Sequence, residues 1–233
     1  MTVLALQARI DSSRLPGKAL LSLGGRPLIL RVMEAFNIFS WDLKVLACPE
    51  DSAASFAPLA EDAGFTLIPG PKEDVLGRYC LVIRKTGAER IVRATGDNPF
   101  VFADAAVALN GEAESLAADY AGYSGLPYGA GVESIASEAL LRAEKEAQTA
   151  MEREHVCPYI YTHPELFSLH RPLSPLKWQG ADFRITVDTP DDYKRAETLD
   201  AELFSLPPEK RNLGENVIKA YKNIFNAEAE NKT

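Results

Sequence analysis

Apolar residues fall along this chain in runs and periods that alternate between strand and helix. Val3 to Leu6 is a short unbroken apolar run, the form a strand takes when a sheet is covered on both faces. Leu28, Leu30, Val32, Met33 and Phe36 then recur at the spacing of a helix lying against that sheet. Lys44 to Ala47 predicts a second strand. Asp51 is placed to cap the alanine-rich helix after it, which breaks near Ala63-Gly64, and Thr66 to Ile68 predicts a third strand. Asp74 to Lys85 keeps a helical period, and Arg90 to Thr95 alternates into a fourth strand. The pattern loosens from Ala113 to Gly131, returns as a strand over Val132 to Ala136, and continues as a helix from Ser137 and Glu138 to about Ala147. Val156 to Tyr161 predicts a helix with a proline near its start, and Phe167 to Arg171 and Phe183 to Val187 predict two more strands. Thr189 caps a helix with Pro190 at its first position and Asp191 and Asp192 near its positive end. A last amphipathic helix covers Leu213 to Phe225, and Ala227 to Thr233 is expected to fray.

Strands alternating with helices in this way predict an α/β protein of three layers, α/β/α, around a mostly parallel mixed sheet with right-handed crossovers. No repeat or low-complexity linker interrupts it, so residues 1–226 are expected to form a single domain, with 227–233 as its tail. The 46% hydrophobic and 25% charged residues suit an ordered soluble protein. A net charge of −8 leaves no broad basic face for nucleic acid, which is excluded as a partner. Cys48, Cys80 and Cys157 fit no metal-binding spacing and are expected to be buried thiols. No apolar run is long enough to span a bilayer, and the first one stops at Gln7 and Arg9, too soon for a signal peptide; a cytoplasmic protein without a membrane partner is expected.

Against that acidic background one loop is strongly cationic. Directly after the first strand come Arg9, Ser12, Ser13, Arg14, Pro16, Gly17 and Lys18. Gly17 opens a backbone conformation closed to other residues, and Pro16 stiffens its neighbourhood. Fixed N–H donors and positive charge at the carboxyl end of a first strand are what a polyphosphate needs. The loop is not a P-loop, since Ala19 stands after Lys18 where Mg²⁺ would want a hydroxyl and no glycine opens the motif; the dinucleotide fingerprint is also missing. Gly96-Asp97-Asn98-Pro99 closes the fourth strand at the same sheet edge, either as a ligand-binding segment or as an ordinary turn. Tyr120, Tyr123 and Tyr128, set among glycines, either line a sugar or base pocket or pack on the sheet.

The segment R-x-x-S-x-R-L-P-G-K, Arg9 to Lys18, resembles the signature of the cytidylyltransferases that make CMP-activated sugars. Within that family it most resembles the spore coat polysaccharide biosynthesis branch, near the CMP-Kdo and CMP-acylneuraminate synthetases. The resemblance implies a nucleotide-diphospho-sugar transferase-like (GT-A-type) fold and transfer of CMP from CTP to a sugar, with release of pyrophosphate. It implies Mg²⁺ held by Asp97 in G-D-x-P and by Asp188 in V-D-T-P-x-D. Arg14 and Lys18 are then the catalytic phosphate contacts, while Arg9, Ser12, Ser13, Gly17 and Arg78 bind the nucleotide. Tyr128, Glu133 and His155, the last within R-E-H-V-x-P-Y-I-Y, are expected to meet the sugar, although a lone histidine among apolar residues also reads as a structural hydrogen-bonder, and a homodimer is expected. Two departures from the family pattern stand out. Gly77 replaces the acid of D-V-L-D-R, and Pro127 to Glu133 reads P-Y-G-A-G-V-E where relatives often carry P-D-G-x-D-V-E. The missing acids leave open a nucleotide-binding protein without turnover. A nucleotide-sugar-dependent glycosyltransferase is the remaining alternative, although the chain has no D-x-D motif of the kind such enzymes carry.

Overall fold

Successive side chains of a strand point to opposite faces, and in the computed structural model this divides the apolar residues into two cores. The structure describes residues 1–230, with side chains described through Phe225; the expected tail over 227–233 lies outside the residues whose side chains are described. Strand β1 (Thr2–Gln7) sends Leu4 and Leu6 into one core and Val3 and Ala5 into the other. A small hairpin of β2 (Ser22–Leu23) and β3 (Arg26–Pro27) leads into α1 (Leu28–Phe36). Then follow β4 (Leu43–Pro49), α2 (Ala53–Asp62), β5 (Thr66–Gly70), α3 (Val75–Thr86) and β6 (Arg90–Thr95). The second half holds α4 (Ala103–Ser115), β7 (Tyr120–Ala121), β8 (Glu133–Ala136), α5 (Ser137–Glu146), α6 (Ala150–His155), α7 (Pro158–Thr162) and β9 (Leu169–His170). Helices α8 (Pro190–Leu203), α9 (Pro208–Arg211) and α10 (Gly214–Glu230) complete it.

Seven strands form one sheet in the order β5-β4-β1-β6-β8-β7-β9. The run β5-β4-β1-β6 is parallel, β8 is antiparallel to both its neighbours, and β9 is parallel to β7. The sheet is therefore mixed but mostly parallel, with α1, α2, α4, α8 and α10 on one face and α3, α5 and α7 on the other. The chain moves outward from β1 through β4 to β5 and then crosses back to β6. The carboxyl ends of β1 and β6 thus flank the point where the winding reverses, the usual place for a ligand in an open α/β sheet.

Local chemistry explains several boundaries. Asp74 accepts the Gly77 amide at 2.9 Å and starts α3, which stops at Gly87. Thr189 and Asp192 form a reciprocal capping box at α8, with Pro190 in its first turn. All three cysteines are free and buried, and burial pushes the thiols of Cys48 and Cys80 up to about 11 and about 12. No helix among the described residues is long and apolar enough to cross a membrane.

The structure corrects the sequence at several places. Phe183 to Val187 is extended but is not a strand of the sheet: only Arg184 makes a bridge, to Tyr128. Its partners are loop residues, with Ile185 N donating to Tyr128 O at 2.9 Å and Val187 N to Asp97 O at 2.9 Å, so no continuous ladder forms. Asp51 caps nothing; it takes Lys72 at 2.8 Å, and a short 3₁₀ turn at Glu50–Ser52 leads into α2. Helix α4, rich in alanine, fills a stretch with no clear apolar stripe, and α6 precedes the predicted Val156–Tyr161 helix, from which it is separated by Val156 at φ 73.

Candidate active site

The carboxyl ends of β1 and β6 open into a cleft with a cavity volume of about 430 Å³, the size range of a small-molecule site. Arg9, Arg14, Lys18, Lys72, Arg78 and Arg93 line it, against only three carboxylates, Asp97, Glu154 and Asp188. In a chain of net charge −8, this concentration of cations selects an anionic ligand. The basic loop supplies half of them. Gly17 takes φ 68, a left-handed conformation, and thereby turns Lys18 inward at the start of a 3₁₀ turn over Lys18–Leu20. Lys72 ties this loop to the turn after β4, pairing with Asp11 at 2.6 Å and with Asp51 at 2.8 Å.

Lys18 is the centre of the arrangement. Its ammonium donates to Asp97 Oδ2 at 2.8 Å, Asp188 Oδ1 at 2.9 Å and the Val187 carbonyl at 3.1 Å, which uses all three of its N–H donors. Two carboxylates 91 positions apart in sequence therefore converge on one cation position. The Val187 N–H to Asp97 carbonyl bond brings them there. Arg14 approaches Asp188 Oδ1 at 3.2 Å while remaining 65% exposed, and Arg184 takes Asp188 Oδ2 at 3.0 Å. Burial pushes the Asp188 carboxyl up, but Lys18, Arg14 and Arg184 outweigh it and hold the group below the usual carboxylate value.

That cation position fits a hard divalent ion in its chemistry: two carboxylate oxygens already face a single positive charge. No group of three or more His, Cys, Asp or Glu gathers into a metal cluster among the described residues, so water or substrate oxygens would have to complete the coordination.

Of the residues singled out from the sequence, Arg9, Ser12, Ser13, Arg14 and Lys18 line one wall of the cleft, and Arg78, Asp97, Tyr128, His155 and Asp188 line the rest. Arg78 is buried and already engaged, donating to the carbonyls of Pro71 and Lys72 and to Gln7 Oε1 at 2.7 to 3.1 Å, so it ties β1 to the loop before α3. Gly17 and Glu133 are not in the lining. Glu133 lies behind it, bound to Arg93 and to the Tyr120 hydroxyl. Tyr128, 61% exposed, lies over the Arg184 guanidinium at 4.9 Å. Gly129 beside it has φ 99, and a Cβ there would lie 2.6 Å from the Thr186 amide nitrogen, so the close approach of the two segments requires glycine.

Lys72, Arg93 and Glu154 are charged residues of the lining, and Arg184 a charged neighbour of Asp188, that the sequence did not single out as site residues. Arg93 had a signal: a cation in the alternating strand Arg90 to Thr95 is a charge placed inside a sheet, and such charges are paired or functional.

A protein-family model described as cytidylyltransferase matches residues 3–228. The spore coat polysaccharide biosynthesis protein SpsF of Bacillus subtilis is 30% identical over 201 residues, 83% of this chain and 84% of that protein. The 3-deoxy-manno-octulosonate cytidylyltransferase of Anaeromyxobacter dehalogenans is 32% identical over 113 residues, 47% of this chain and 46% of that protein. A solved cytidylyltransferase structure from Leptospira borgpetersenii superimposes with a TM-score of 0.86 at 21% identity, over 95% of this chain and 94% of the other. The two share the nucleotide-diphospho-sugar transferase-like fold.

Proposed function

The chain belongs to the cytidylyltransferase family, and on that premise we propose that it transfers CMP from CTP to a sugar, releasing pyrophosphate, in the building of a cell-surface polysaccharide. The observation that carries this is the Lys18 ammonium held between Asp97 and Asp188 at the mouth of a cationic cleft. Similarity to SpsF supports the polysaccharide assignment, and similarity to a 3-deoxy-manno-octulosonate cytidylyltransferase supports CTP and a sugar acceptor.

In such a transfer a sugar oxygen attacks the α-phosphorus, its bond to phosphorus forms as the bridging bond to the β-phosphate breaks, and negative charge moves onto departing pyrophosphate. Catalysis then depends on positioning and on placing positive charge where it develops. Arg14, 65% exposed beside Asp188, and Lys18 are placed to take phosphate oxygens, and Ser12 and Ser13 offer hydroxyl donors from the same loop. Lys18 must release at least one of its three acceptors to do so. Asp97 and Asp188 would hold Mg²⁺, which when bound polarises phosphoryl oxygens and screens their charge. No side chain in the cleft is needed as a strong base once the sugar proton can pass to solvent or phosphate.

The test is pyrophosphate release from each of the four nucleoside triphosphates with Mg²⁺ and a panel of sugars. CTP should be the productive nucleotide; release under no pairing contradicts the proposal. A second function is favoured by one observation, Tyr128 and Gly131 standing where relatives often carry acids. A nucleotide-binding protein without turnover would be stabilised thermally by CTP while releasing no pyrophosphate from any pairing.

A further inference from the structure

Asp188 presents its two oxygens to different partners. Oδ1 faces the cation position, with Lys18 Nζ at 2.9 Å and Arg14 at 3.2 Å. Oδ2 faces away and accepts Arg184 NH2 at 3.0 Å. Arg184 is itself fixed by a two-pronged grip on Asp192, Nε to Oδ1 at 2.8 Å and NH2 to Oδ2 at 3.0 Å. Asp192 cannot yield: it is buried in the cap of α8, accepts the Asp188 and Thr189 amides at 3.1 Å each, and also takes Arg195 at 3.0 Å. The other face of the guanidinium lies against Tyr128 at 4.9 Å, and the backbone around Arg184 is tied to Tyr128 by the Tyr128 N to Phe183 O bond at 2.8 Å.

We infer that Arg184 is a positioning residue, which occupies Asp188 Oδ2 so that Asp188 offers a single oxygen, Oδ1, to the cation shared with Asp97. A rigid anchor in the α8 cap, a planar fork and an aromatic backing plate set the carboxylate's rotation. A lysine at 184 would keep the charge and lose the fork, since one ammonium cannot hold two carboxylates in a common plane. An arginine that served only the helix cap would need its contact with Asp192 and not the second one with Asp188.

This role rests on Asp97 and Asp188 being ligands of a divalent cation, and one experiment separates the two claims. Mn²⁺ binding is measured by electron paramagnetic resonance on the full chain saturated with CTP, without sugar, for wild type, Asp188→Asn, Arg184→Lys and Arg184→Gln, with melting curves for each. Wild type should bind Mn²⁺, Asp188→Asn should lose it, and Arg184→Lys should bind about tenfold more weakly at a nearly unchanged melting temperature. Arg184→Gln should weaken binding less, because removing a cation beside Asp188 offsets part of the lost alignment. It carries the comparison should the lysine variant not fold. If both Arg184 variants bind within about twofold of wild type, a change too small for a lost orienting contact, the role of Arg184 is refuted while the cation site stands. If wild type binds no Mn²⁺, or Asp188→Asn binds as wild type does, the cation site is refuted and the role of Arg184 with it.

Discussion

Replacing Lys18 by methionine keeps the length of the apolar stem and removes the charge between Asp97 and Asp188. Three bonds of 2.8, 2.9 and 3.1 Å disappear together, from a side chain that is only 14% exposed. Breaking a fully buried ion pair costs about 3–5 kcal/mol and breaking an exposed one about 0–1 kcal/mol. Lys18 lies between these limits, and Asp188 keeps Arg184 and Arg14 as partners, so the expected loss is about 2 kcal/mol. For a chain of this size that corresponds to a fall in melting temperature of about 4–8 °C. The two acids left facing each other then make the variant a better receptor for a small cation than the wild type, in which Lys18 competes for the same oxygens. Differential scanning fluorimetry with and without millimolar Mg²⁺ reads both effects. The variant should melt lower without Mg²⁺ and be raised by Mg²⁺ by more than wild type is. Equal melting temperatures without the ion, or equal gains with it, would refute the idea that Lys18 holds the cation position in the free protein.

Asp188 and Asp192 both ionise below the ordinary 3.8, because their cationic and amide partners outweigh burial. A carboxyl depressed by folding stabilises the protein above its unfolded value and loses that contribution as pH falls through its folded value. Wild type should therefore lose melting temperature steeply below about pH 4, and Asp192→Asn should flatten that fall rather than shift the whole curve. Gly129→Ala places a Cβ 2.6 Å from the Thr186 amide nitrogen at φ 99, and should cost about 1–3 kcal/mol in urea unfolding; an unchanged midpoint contradicts the close packing of these segments. Arg78→Lys keeps a cation in the cleft but loses the fork onto the Pro71 and Lys72 carbonyls. It should lower stability by about 2–4 kcal/mol, leaving the loop before α3 more open to proteolysis, and equal stability would refute its structural role.

Much of this was legible in the chain because the relevant signals are local. The runs of β1 and β6 and the cap of α8 depend on neighbouring residues, and each appears near its predicted place. Gly77, a departure from the family pattern, has a local cause too: a Cβ there would lie 2.5 Å from Asp74 Oδ2, which folds back over the start of α3. The misses share a different origin. The alternation of Phe183 to Val187 reports burial of an extended segment, but pairing depends on what lies beside it, here two loops rather than a strand. Helix α4 buries Ala103, Ala105, Ala106 and Ala113, small residues that leave only a faint stripe. Glu133 opens β8, where the resemblance places a sugar contact, yet its partner across the sheet is Arg93, and of that pair only Arg93 reaches the cleft lining. Sequence brings Lys18, Asp97 and Asp188 to the same sheet edge; that one ammonium would sit between both acids is a matter of side-chain geometry.

Under the proposed function the basic loop and the two distant aspartates form one centre for nucleotidyl transfer. Crystals grown with CTP and Mn²⁺ and measured at the manganese absorption edge test it most directly. An anomalous peak is expected between Asp97 and Asp188, with the triphosphate against Arg14 and Lys18; a triphosphate bound away from this loop, or a peak that touches neither aspartate, would contradict a shared centre.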